Sequence, residues 1–162
     1  MPYSLGAPSL RLIVPEEIVL ATRLELGLAS RDELSDLVDR HIAETSRLDG
    51  VLLELATPLD MAVDDLSSRL EALAGVTKEH GAAMRVVIVA DLVAREILTI
   101  ERAVDYLAVR AAPSLPPPLD ADCGALDDMV WLAKSGTYGT MDSVRERLAE
   151  IAAACAIGST DA

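Results

Sequence analysis

Phenylalanine is absent from this sequence of 162 residues, and three tyrosines and one tryptophan are the only large aromatic side chains in it. An apolar interior must then be built from Leu, Ile, Val and Ala, side chains that suit closely packed helices. Histidine and cysteine number two each. His41 and His80 are too few and too far apart for a histidine cage, and neither belongs to a Glu-x-x-His or His-Glu-x-x-His pattern, so no metal is expected. Cys123 and Cys155 lack metal-type spacing. They read as reduced thiols of a cytoplasmic protein, although a disulfide between them is compatible with the sequence.

Positive charge is also scarce, with 14 Lys and Arg against 27 Asp and Glu and a net charge of −13. Phosphate binding needs clustered cations to displace counterions, so no nucleic acid is expected as a partner, and no anionic membrane surface either. No run reaches the roughly 18 apolar residues of a membrane span, the longest stretch being broken by Arg85, Asp91, Arg95 and Glu96. The first residues, Met1 to Glu17, lack the basic region and apolar core of a secretory signal. Nucleophile-elbow, Cys-x-x-Cys, Walker and dinucleotide patterns are missing as well. Asp120-Ala121-Asp122-Cys123-Gly124 opens like a calcium loop, yet it lacks a third early ligand and has Trp131 where the closing glutamate belongs. No cofactor is therefore expected.

What remains is a chain that is 51% hydrophobic with a mean hydropathy of +0.31, enough to bury one core. The pattern predicts an all-α bundle of six to seven helices, preceded by a short extended arm or edge strand in which Leu10, Leu12 and Val14 alternate, with Arg11 between. Residues 1–112 read as a helical body, 113–123 as a proline-rich connector, and 124–158 as a helical hairpin packed on that body, all in one domain.

Start and stop signals divide the body. Pro15-Glu16-Glu17 opens a helix that Gly27 stops. Ser30 and Glu33 form a capping box for the next, with Leu34, Leu37, Val38 and Ile42 inward. Val51–Ala56 fits helix or strand. Thr57-Pro58-Leu59-Asp60 signals another start, and Leu59, Ala62, Val63, Leu66, Leu70 and Leu73 make its apolar stripe up to Gly75.

The centre of the chain is its most apolar long segment, Ala82–Ala112. Four consecutive β-branched residues, Val86-Val87-Ile88-Val89, favour a strand locally. Met84 to Asp91 followed by Leu92 to Leu98 resembles the opening strand and first helix of a two-component receiver domain, which would imply magnesium held by acids at the strand end. The later Asp, Ser or Thr and Lys of that family have no counterpart after Asp91, and Leu92 stands where receivers carry a second acid. A buried helix ending at Ile97 or Leu98 is the expectation, with a second helix capped by Thr99 and carrying Val104, Leu107 and Ala108 inward. A weak internal repeat accompanies this division: a shift of 69 places Leu24 on Val93, Leu28 on Ile97, Ser30 on Thr99, Asp32 on Glu101 and Asp36 on Asp105. Pro113 to Pro118 predicts an extended connector. Beyond it, a helix over 124–134 with Asp122 as its cap carries Leu126, Met129, Val130 and Leu132. A last one, capped by Thr140, carries Val144, Leu148, Ile151 and Cys155.

Few residues suggest chemistry. Asp91 and Glu96 are candidate buried functional acids, because a carboxylate in an apolar segment has a raised pKa unless Arg85 or Arg95 pairs with it. Cys123, near a helix start, is a candidate for a lowered pKa, though it has no histidine nearby in sequence to act as its base. Trp131 reads as a core plug beside Leu126, Val130 and Leu132. Trp131, Tyr138 and Tyr106 are equally the residues from which a binding surface would be made.

Two functions follow from these readings. The first is a non-catalytic acidic helical module that binds a protein, either a second copy of itself or a basic partner. Bacterial immunity and antitoxin-type proteins do the latter, and the analogy is one of composition alone. The second is a small-molecule-binding protein or enzyme with Asp91 or Glu96 in an apolar pocket between helices.

Overall fold

In the computed structural model of the chain, residues 3–4, 13–47, 49–57 and 60–158 are described. The fold is all-α. Among these residues there are eight α-helices: α1 (Glu16–Glu25), α2 (Arg31–Glu44), α3 (Gly50–Ala56), α4 (Val63–Ala74), α5 (Lys78–Ala94), α6 (Ile100–Arg110), α7 (Leu119–Lys134) and α8 (Met141–Gly158). Two paired two-residue strands, β1 (Tyr3–Ser4) and β2 (Ile13–Val14), precede them. Leu10 and Leu12 of the expected arm lie outside the described residues, as do Pro58 and Leu59. The helix beyond the expected six or seven is α3, whose sequence fitted either helix or strand. Asp49 resolves it by accepting a hydrogen bond from the Leu52 amide at 2.8 Å, an N-cap that fixes the first turn. The chain divides into two units, one holding α1–α4 and the other α5–α8, with the division between Thr77 and Lys78.

In the first unit the principal packing is α1 on α4 and α2 on α3, with α3 also on α4. Leu20, Ala21 and Leu24 from α1, Leu34, Leu37 and Val38 from α2, Leu52 and Leu55 from α3, and Leu66 and Leu70 from α4 form one buried cluster. Ion pairs hold α1 to α2 along the outside. Arg40 grips both carboxylate oxygens of Glu16 at 2.9 and 2.6 Å, Arg23 meets Glu33 at 2.5 Å, and His41 Nε2 lies 2.8 Å from Glu17. The Arg40 guanidinium holds the Glu16 carboxyl below its ordinary pKa. His41 is thus a bridging residue of the first unit. The capping box forms as expected, but Ile42 is 36% exposed, because the third turn of α2 runs past the end of the cluster. The fourth helix starts at Val63, later than expected, with Ala62 in the N-cap position and Asp64 and Asp65 in its first turn.

The second unit packs α5 on α8, α6 on α7 and α7 on α8, with α5 also against α6. The β-branched run is helical. Val86, Ile88 and Val89 are buried, and the packing of α8 over them outweighs a per-residue strand preference worth at most about 1 kcal/mol. Receiver-type strand geometry is therefore not found there. Ala108 is exposed, and Ala103 and Tyr106 take their places beside Val104 and Leu107 on the buried face of α6. The proline run is shorter as a connector than expected: Ala112–Ser114 forms a 3-10 turn, and α7 begins at Leu119 behind Pro118. Asp122 consequently lies inside α7, where it pairs with Arg147 of α8 at 2.9 Å, and is not a cap. Thr140 does cap α8, accepting from the Ser143 amide at 3.2 Å while Ser143 Oγ accepts from the Thr140 amide at 3.0 Å.

Candidate functional site

Three helices of this chain end in the same way. The amides of Gly27 and Leu28 donate to Leu24 and Arg23, those of Gly75 and Val76 to Ala72 and Glu71, and those of Gly136 and Thr137 to Ala133 and Leu132. Each glycine has a φ of 68 to 69°, the left-handed conformation that closes a helix and that a residue with a Cβ adopts at a cost. The end of α5 makes the same pair of bonds, Glu96 to Val93 at 3.0 Å and Ile97 to Leu92 at 2.9 Å, with glutamate in the left-handed position at φ 59°. Replacing Glu96 by glycine is expected to stabilise the protein by about 0.5–1 kcal/mol, since the strain removed exceeds the added freedom of the unfolded chain. Urea unfolding of Glu96→Gly would measure it, and a lower midpoint than the parent would contradict the reading.

Backbone strain of this kind is frequent at functional sites, which directs attention to the surroundings of Glu96. Glu96 stands on the rim of a groove of about 500 Å³ within the second unit. Its floor is apolar, formed by Val93, Ala94, Ile97, Leu98 and Ile100, and Ile97 is left 47% exposed. Glu96, Glu101, Asp142 and Arg145 make the charged rim. Arg145 is taken by Asp142 at 2.7 Å, and Glu101 by Lys134 at 3.4 Å, so that the Glu101 pKa is lowered, first by its own backbone amide and then by the lysine. Glu96 makes no ion pair or side-chain hydrogen bond among the described residues. With three carboxylates against Arg145 and Lys134, the rim keeps one negative charge in excess, carried by Glu96 beside the exposed Ala94 and Ile97.

The candidate aromatic residues separate. Trp131 is 67% exposed and Tyr138 79% exposed, whereas Tyr106 is buried in α6. The expected core position of Trp131 is therefore corrected. The packed face of α7 is set by Cys123, Leu126 and Val130, and Trp131, one residue beyond Val130, turns outward. Trp131 precedes Lys134 by about one helical turn, and Tyr138 lies in the turn joining Lys134 to Asp142. Both therefore belong to the same end of the second unit as the groove rim.

The candidate acids also separate. Asp91 is half-buried and paired with Arg95 at 3.3 Å, one helical turn away. Glu96 is exposed, so the expectation of a buried acid does not hold for it. Cys123 and Cys155 are both buried, and they form no disulfide. Burial pushes the Cys123 thiol up to about 11, opposite to the direction expected from a helix start. No group of His, Cys, Asp and Glu suited to a metal is found among the described residues, and none of their helices is long and apolar enough to cross a membrane. The groove was not read from the sequence. The one signal for it was the repeat, which aligns Glu96 with Gly27.

Comparison of the chain with protein-family models, with curated proteins and with solved structures finds no match.

Proposed function

We propose that this protein is a non-catalytic binding module for a basic protein partner. The observation that carries the reading is the end of the second unit, where a groove with the exposed Ile97 and an acid-rich rim shares one end of the helices with the exposed Trp131 and Tyr138. Exposed Trp and Tyr supply large contact area at low entropic cost, and an excess of carboxylates selects a cationic partner and speeds its approach. The net charge of −13 acts in the same direction over the whole surface. Asp91, which motivated the enzyme alternative, sits beside Arg95, and no other observation favours that alternative.

The test uses a defined probe, a synthetic amphipathic peptide of lysine and leucine, with a glutamate and leucine peptide of the same spacing as control. Trp131 is the only tryptophan, so its emission reports on this end of the molecule directly. The basic peptide is expected to shift that emission to the blue with micromolar affinity that weakens as salt rises, and the acidic peptide to leave it unchanged. No response to the basic peptide, or an equal response to both, would overturn the reading.

A further inference from the structure

The two units repeat one another. The shift of 69 that relates Leu24 to Val93 also relates the helix ends in hydrogen-bonding detail. Gly27 to Leu24 becomes Glu96 to Val93, Leu28 to Arg23 becomes Ile97 to Leu92, and the Ser30 cap on the Glu33 amide becomes the Thr99 cap on the Arg102 amide. The same shift carries the first residue of α2 to that of α6, and of α3 to that of α7. Because α7 has 16 residues where α3 has 7, the last helix is displaced by 78, which carries the first residue of α4 to that of α8. At that displacement Leu66, Leu70 and Leu73 fall on Val144, Leu148 and Ile151, all buried except Leu73, which packs against the core from its edge. The packing order is also shared: α1 on α4, α2 on α3 and α3 on α4 correspond to α5 on α8, α6 on α7 and α7 on α8. Amphipathic helices match by chance in apolar spacing, but not in turn bonds, caps, helix starts and packing order together.

Besides the lengths of their helices, the copies differ in the cleft at this turn. In the first unit the cleft between the α1–α2 turn and the start of α4 is bridged twice. Ser67 Oγ donates to Glu25 at 2.5 Å, and Arg31 donates to the Met61 carbonyl at 2.7 Å. Their counterparts in the second unit are Ala94 with Arg145, and Ile100 with Gly139. Neither pair can reproduce its bridge, and the corresponding cleft is the open groove, with Glu96 added at the position of Gly27.

We propose that the chain is a tandem duplication of one four-helix unit, and that loss of the two bridges in the second copy opened the groove as the seat for an apolar protein segment bearing lysine or arginine. Charge complementarity selects that occupant: the aliphatic floor takes the apolar side chains and the unpaired Glu96 takes the cation. The ligand half of this inference rests on the binding function proposed above.

Putting the first unit's residues back into the second tests it. Ala94→Glu combined with Arg145→Ser should restore the counterpart of the Glu25–Ser67 bridge, keep the helical circular dichroism, and weaken the lysine and leucine peptide at least tenfold although it makes the rim more acidic, so that the loss reports closure of the groove and not charge. Glu96→Lys, at an exposed position that tolerates the change, should weaken it at least tenfold as well. If the double substitution fails to fold, this single variant decides. Binding by the parent together with undiminished affinity in the folded double variant or in Glu96→Lys overturns the groove assignment and leaves the binding function standing. Absence of binding by the parent removes the binding function itself. The duplication is tested separately by replacing residues 24–30 with the sequence of 93–99, which should leave helical content and cooperative unfolding intact. Loss of the fold in that chimera would show that the two turns are not equivalent.

Discussion

Leu70→Ala in α4 and Leu148→Ala in α8 are each expected to lower the stability of the protein by about 3 kcal/mol. Both side chains are essentially inaccessible, at 0% and 1% exposure, and both project from the last helix of a unit onto its first. Removing three carbons from such a position forfeits the transfer free energy of burial and leaves a cavity that neighbouring helices close only in part. Leu70 lies in the cluster with Leu20, Leu24 and Leu66, and the cost there should sit near the centre of the usual 2–5 kcal/mol range. Leu148 has α5 and α7 against α8, and its neighbours Val144 and Ile151 are buried with it. Urea unfolding followed by circular dichroism would give both values. Under the duplication the two losses should agree to within a factor of about two, the ordinary spread of such substitutions. A loss below about 1 kcal/mol at either position would mean that the helix is not seated as described.

The cysteines give the second large effect. Burial raises the Cys123 thiol to about 11, and burial together with the nearby Cys123 raises Cys155 to about 12. Alkylation proceeds through the thiolate, so at pH 8 the reactive fraction of Cys123 falls about 100-fold below that of an ordinary thiol before access is considered. Iodoacetamide should leave both residues unmodified in the native protein and label both once urea exceeds the unfolding midpoint. Mass spectrometry would read the difference, and fast labelling of either residue in the native state would show that α7 and α8 do not enclose them. The same shifts set an alkaline limit. Each thiol keeps its proton more tightly when folded, so its contribution to stability is complete below the unfolded pKa near 9. It is lost as pH rises toward about 11 for Cys123 and about 12 for Cys155.

Much of the local structure was legible in the sequence because it depends on local chemistry. Gly27, Gly75 and Gly136 end helices in the left-handed conformation that glycine adopts without strain, and Ser30, Thr99 and Thr140 begin them by accepting a hydrogen bond from a backbone amide. The two faces of α8 were set by the spacing of Val144, Leu148, Ile151 and Cys155. Where local signals conflicted, packing decided. Val86 to Val89 adopt a helix because α5 lies against α8, and Leu119 to Cys123 join α7 even though the proline run before them suggested an extended chain. Trp131 was misplaced because it is one residue beyond the apolar register of α7, and sequence neighbours on a helix face different ways.

The sequence by itself determined that this protein is helical, acidic and free of the common catalytic and metal patterns, since these follow from periodicity, caps and composition. Only the tertiary structure decided that Glu96 overhangs an open groove while its counterpart Gly27 lies at a cleft bridged by Glu25, Ser67 and Arg31. The reason is that a cleft depends on which side chains cross between helices brought together by the fold. Residues 25 and 67 carry no mark in the sequence that they meet, nor 94 and 145 that they line one groove.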